Sequence, residues 1–249
     1  MLCLMWHVGI DTAVLVSIAA LLASVLAAVT GFGGAAVLLP VLVFAFGARA
    51  AIPILAVAQL IGNASRVWFN REELDLRVVA WFALGGVPLA WLGSIVFARA
   101  PLAWLTRLLG AFLLFVVAWR HVRPNTTRRL PLRSFALIGA GASFLSALLG
   151  SVGPIMAPFF LAYGLVKGAY IGTEALATVV MHATKLAAYR QFGTLPTASL
   201  LPGLALGPIM VAGSWMGKRL VDRLPQRTFV LLIEGTMTAA GLLFLVRGR

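Results

Sequence analysis

Gly31-Phe32-Gly33-Gly34 interrupts an apolar run reaching from about residue 12 to residue 47, and Gly150-Ser151-Val152-Gly153-Pro154 interrupts a second from 134 to 166. Inside a bilayer every backbone N–H and C=O must be paired within its own segment. A break at that depth is tolerated only where protein or a wet cavity surrounds it. The apolar runs after the breaks, 35–47 and 154–166, hold about 13 residues each, roughly 20 Å of helix. That is short of the ~30 Å hydrocarbon core. Each unit therefore reads as a broken helix or a re-entrant hairpin whose tip lies at membrane depth. Close helix packing through small residues would also use glycine. The lined-cavity reading is preferred because the break occurs twice and precedes a short helix both times.

The two breaks share one register. An offset of 119 residues superposes Gly31 on Gly150 and Gly34 on Gly153, Ser24 on Ser143, Leu42 on Leu161, Ala56 on Ala175 and Arg71 on Arg190. It also places Arg66, a cation within an apolar run, on Lys185. Apolar residues coincide easily by chance; glycines and cations in one register do so less. Duplicated halves with matched breaks are a signature of secondary transporters, whose substrate binds where the halves meet.

Composition sets the environment. Of 249 residues, 61% are hydrophobic and 11% charged, with a mean hydropathy of +1.01, against about 25% charged in a soluble domain. So few polar groups cannot cover a water-facing surface. The expectation is an all-α polytopic membrane protein of eight to ten helical segments in one membrane domain, 1–249. Repeat one spans about 12–120 and repeat two about 134–246, joined by a basic cytoplasmic linker at 121–133. The net charge of +13 would suggest nucleic acid on a soluble chain. Here it concentrates in short loops, above all Arg120, Arg123, Arg128, Arg129 and Arg133, as the positive-inside pattern requires. Lipid, not nucleic acid, is the expected surroundings. Cys3 is the single cysteine, which excludes an intrachain disulfide and a thiolate metal site. The N-terminus lacks a basic region ahead of its apolar stretch and reads as a permanent membrane segment.

The expected helical stretches are 12–29, 35–47, 51–69, 78–98, 102–119, 134–150, 154–166, 169–189, 197–217 and 228–246. A cytoplasmic basic loop at 120–133 puts loop 70–77 on the same side and Arg99 outside. An odd number of crossings per half then keeps Lys218, Arg219, Arg223 and Arg227 inside. That parity makes the repeat inverted, with both termini outside. Gly85 with Gly93, and Gly213 with Gly217, read as close-packing faces.

No metal-ligand cluster, phosphate-binding loop or nucleophile–base pair is visible, so neither a cofactor nor an enzyme is expected. Polar residues inside apolar runs carry the function instead. Gln59, Asn63 and Arg66 are spaced four and three apart, on one helical face. The offset matches them to Thr178, His182 and Lys185. Arg66 and Lys185 either line the cavity or snorkel to the headgroups. Glu174 caps or pairs near a helix start, and Glu234 pairs with a cation or relays protons. The short helices begin at the breaks, so their first amides lack helical partners and carry the positive end of the dipole. Such N-termini are anion sites. The candidate substrate-binding set is Gly31, Gly33, Gly34, Gln59, Asn63, Arg66, Gly150, Gly153, Thr178, His182 and Lys185. Gly34→Leu is expected to fill the anion cradle.

The Gly31-x-Gly-Gly-Ala stretch followed by Pro40, its echo at Gly150-x-x-Gly-Pro and the two-fold layout resemble the sulfite exporter TauE/SafE family of membrane permeases. The resemblance covers about residues 12–246 and departs from the family's fuller Gly-x-Gly-Gly-Gly pattern at Val152 and Pro154. It implies secondary transport of small sulfur-containing anions such as sulfite, sulfonate or thiosulfate across a bacterial-type cytoplasmic (inner) membrane. Its partners would be a small anionic substrate and membrane lipid, with a homo-oligomer equally compatible. The alternatives are a carrier of another organic or metal substrate, and a non-transporting scaffold. A scaffold has no need of paired breaks, and a metal carrier would lack acidic and thiol ligands.

Overall fold

In a computed structural model, the structure describes residues 9–31, 34–101, 130–150 and 152–220, with most of 103–115. Gly33, Glu234, most of the basic linker, Arg223, Arg227 and the expected helix at 228–246 lie outside the described residues. The chain is all-helical over what is described.

Nine labelled helices follow in order: α1 Ile10–Thr30, α2 Gly34–Phe46, α3 Ala48–Phe69, α4 Leu76–Arg99, α5 Ser134–Leu149, α6 Gly153–Tyr163, α7 Lys167–Gln191, α8 Thr197–Ala205 and α9 Gly207–Leu220. Further helical residues occupy much of 103–115. The expected stretch 197–217 is divided at Leu206, yet Leu206 keeps right-handed helical dihedrals. The pair is one apolar rod, notched where Pro208 has no N–H to donate. A 3₁₀ turn, Arg71–Glu73, links α3 to α4. The Asp75 carboxylate caps α4 by accepting from the N–H groups of Arg77 and Val78 at 3.0 and 3.2 Å.

Four described helical stretches are long and apolar enough to cross a membrane: α1, α3, α4 and the α8–α9 rod. Their outward faces carry Leu84, Trp68, Leu76 and other large apolar residues, the surface that lipid solvates. Helix α7 has 25 residues but bears Glu174, Thr178, His182 and Lys185. It tolerates them because protein surrounds it: α3 packs on one flank and α4 on another.

Helices that precede the basic linker interlock with helices that follow it. Helix α4 packs along α5, and α9 packs along α1. Glycines set both contacts. A Cβ on Gly93 would stand 2.7 Å from the Phe144 carbonyl oxygen, and one on Gly213 would stand 2.7 Å from Ser24 Cβ. Gly85 and Gly217 face the Ala136 and Val25 carbonyls in the same way. These are the close-packing faces anticipated from the sequence, where lipid-exposed helices gain by dispersion at short range. Phe160 anchors α6 against Phe135 and Phe82, with ring centroids 5.0 and 6.4 Å away.

Candidate functional site

Both helix breaks occur at a glycine in the left-handed region. Gly31 has φ +76° and Gly150 φ +80°, a conformation that costs glycine little and other residues more. Each turns its N–H back onto the preceding helix, Gly31 to the Ala27 carbonyl at 2.9 Å and Gly150 to the Ser146 carbonyl at 2.8 Å. The chain then starts a new helix, α2 at Gly34 and α6 at Gly153. The two new N-termini line a single cavity of about 40 Å³. A water needs roughly 10–15 Å³ measured this way, so the space suits a small solute.

Helices α3 and α7 supply the polar walls. Gln59, Asn63 and Arg66 enter from α3, and Glu174, Thr178 and His182 from α7. Asn63 Nδ2 donates to the Gln59 carbonyl at 2.7 Å, and Asn63 Oδ1 accepts from Arg66 Nη2. Arg66 Nη1 donates to the carbonyls of Ala27 at 3.1 Å and Gly31 at 3.0 Å. It also lies 3.5 Å from Glu174 Oε2. Thr178 Oγ1 donates to Glu174 Oε1 at 3.1 Å.

The second cation behaves alike. Lys185 Nζ donates to Ser146 Oγ at 2.8 Å and to the Ser146 carbonyl at 3.3 Å. Arg66 and Lys185 thus each satisfy the C-terminal carbonyls of the helix that ends at a break, and each reaches a residue 39 positions upstream. A helix C-terminus favours a cation. Neither side chain snorkels: Arg66 is 5% exposed and Lys185 fully buried.

Nine of the expected site residues therefore line the cavity: Gly31, Gly34, Gln59, Asn63, Arg66, Gly150, Gly153, Thr178 and His182. Lys185 does not line it but is bound to Ser146, which does. Gly33 lies outside the described residues. One expectation about Gly34 needs correcting. A Cβ there would stand 2.6 Å from the Ala23 carbonyl oxygen and 2.9 Å from Ala27 Cβ. A leucine would force α2 off α1 rather than fill a cradle.

Ser146 escapes the sequence reading; Glu174, read as a cap or a pair near a helix start, does pair, with Arg66, but its place in the cavity wall was not anticipated. Glu174 sits seven residues into α7, not at its first turn. The signal was present: positions 174, 178 and 182 are spaced four apart, one continuous stripe. Ser146 is a small residue among apolar ones, and only its contact with Lys185 marks it.

Three polar atoms in the cavity wall have no hydrogen-bond partner: Gln59 Nε2, His182 Nδ1 and Glu174 Oε2. Leaving such a group unsatisfied costs about 1–3 kcal/mol. Gln59 Nε2 is a donor, and His182 Nδ1 is a donor whenever it carries the proton. Among the described residues lining the space, Arg66 is the one cation and Glu174 the one carboxylate. Among the described residues no group of three His, Cys, Asp or Glu could hold a metal ion.

A second chamber of about 240 Å³ lies on the other side of Arg66, lined also by Asn70, Glu73, Lys167, Ser214 and Lys218. Arg66 borders both spaces.

Compared with known proteins, residues 16–244 match the family model described as Sulfite exporter TauE/SafE. No curated protein and no solved structure matches the chain.

Proposed function

Since the chain belongs to the sulfite exporter TauE/SafE family of membrane transporters, we propose that it carries a small sulfur-containing anion (sulfite, a sulfonate or thiosulfate) across a bacterial-type cytoplasmic membrane. The observation that carries this reading is the convergence on one cavity of two helix N-termini with the unpartnered Gln59 Nε2 and His182 Nδ1. Backbone N–H groups of Gly34, Ala35 and Gly153 lack helical acceptors by position. Pro154 has no N–H to offer, so the first break contributes more donors than the second. An oxyanion accepts from several such groups at once and gains from both dipoles. Among the described residues the site has a cation, Arg66, in its wall and no acidic cluster of the kind a metal cation would require.

Transport proceeds by rocking of the two halves, taken as an inverted repeat, about α3 and α7. These helices pack together and carry the polar walls, while α4 on α5 and α9 on α1 form the sliding contacts. The basic linker marks the cytoplasmic side. The test is flux into proteoliposomes containing the full chain. Saturable uptake of sulfite, competed by sulfonate and thiosulfate, is expected. Saturable uptake of a cation with no anion flux would refute the proposal.

A further inference from the structure

Glu174 is out of place in an anion site. Its carboxylate is 2% exposed, lines the cavity and stands 3.5 Å from the guanidinium of Arg66. An incoming anion needs that same guanidinium, the only cation lining the cavity among the described residues. Two anions a few ångströms apart in a site shielded from water repel strongly. One of them must therefore lose its charge or leave. Glu174 cannot withdraw easily, because Thr178 holds Oε1 from one turn along the same helix. Oε2, which has no hydrogen-bond partner, is free to take a proton.

The surroundings leave Glu174 as the site of exchange. Facing it are Arg66 from α3, Tyr170, Thr178 and His182 from α7 itself, Ser146 from α5, and uncharged residues of α2 and α6. Helix α4 carries charge only in its end turns, at Arg77 and Arg99. Glu73 and Asp75 meet α7 at Gly168 and Thr173.

We propose that Glu174 and the substrate anion compete for Arg66, so that anion binding is coupled to protonation of Glu174 and each transported anion travels with a proton. In the empty protein Glu174 is ionised and paired with Arg66. A proton from water adds to Oε2, the pair opens, and the anion takes the guanidinium. On release the proton returns to water and the pair re-forms. No bond other than O–H forms or breaks. The proton and the anion are bound in the same state and so move in the same direction. The proposal rests on the cavity being an anion site.

Linkage makes the claim measurable, because a proton that favours anion binding must itself be taken up when the anion binds. The experiment uses the purified full chain in detergent, weakly buffered, with a pH-indicator dye. The probe is ethanesulfonate, whose own charge is constant near neutral pH. Binding should take up about one proton per anion. Affinity should fall about tenfold per pH unit above the carboxyl's titration, the limit for a single linked proton. In Glu174→Gln, which keeps an acceptor for Thr178, uptake and pH dependence should both disappear while binding remains. Binding by the wild-type protein without proton uptake overturns the coupling alone, and needs no variant. Uptake that survives in Glu174→Gln and disappears in His182→Asn overturns the assignment to Glu174. Failure of ethanesulfonate, sulfite and thiosulfate all to bind overturns the anion site and the coupling with it.

Discussion

At the residue scale, the buried polar groups divide into those already satisfied and those left open. Lys185 spends its charge on Ser146 and on the end of α5, whereas Gln59 Nε2 has nothing to bind. The two should respond differently to removal. Lys185→Met strands the Ser146 groups and should cost about 1–3 kcal/mol of stability, seen as a lower apparent Tm. Gln59→Leu should leave Tm near the wild-type value and weaken anion binding by about 10- to 150-fold, one lost hydrogen bond to a charged group. A Gln59→Leu protein with lower Tm and unchanged affinity would make Gln59 a packing residue. The sequence made both positions conspicuous, since a polar side chain deep in an apolar run needs a partner. It could not say which had one. Arg66 lies in the last turn of α3 and Lys185 within α7, and only the fold reveals that a carbonyl 39 residues upstream is waiting.

At the scale of helices the sequence is far more legible, because the bilayer allows so few solutions. Helix ends follow the expected stretches closely: α1 was anticipated at 12–29 and runs Ile10–Thr30, and α4 at 78–98 and runs Leu76–Arg99. Apolar length and glycine breaks specify those limits directly. Which glycine serves which neighbour is a different matter. Gly34 was assigned to the ligand and serves α1 as well, since a missing side chain looks the same in sequence whether backbone or solute fills the space. Position decides the consequence. Gly85 has the Ala136 carbonyl where its Cβ would be, while Gly141 on the facing helix has nothing within 4 Å. Gly85→Ala should therefore overpack the α4–α5 contact and lower stability by about 1–3 kcal/mol. Gly141→Ala should be neutral or stabilising by up to about 1 kcal/mol through helix propensity. Apparent unfolding of the two variants in the same detergent checks the contrast. Equal loss from both would mean that α4 and α5 do not meet as closely as the glycines imply.

At the scale of the whole molecule, the central cavity sits behind Arg66, and the larger chamber on its other side opens among charged residues near the 3₁₀ turn. Lys167 and Lys218 border that chamber together with Arg66, against one carboxylate, Glu73. A cleft with an excess of one sign raises the local concentration of the opposite ion and speeds its arrival. Lys218 also donates to the Phe69 carbonyl and so has a structural duty. Lys167 is exposed and is the cleaner probe. Its backbone is left-handed, with φ +49°, at the first residue of α7, so the substitution should keep a long polar side chain. In proteoliposomes, Lys167→Gln should raise the half-saturating sulfite concentration two- to fivefold at low ionic strength and leave maximal flux unchanged. At about 1 M salt, where charges are screened within ~3 Å, variant and wild type should converge. That pattern follows because a charge acting at a distance assists arrival and not the exchange at Arg66 and Glu174. A persistent difference at high salt, or a fall in maximal flux, would place Lys167 in contact with the anion and move the binding site outward into the larger chamber.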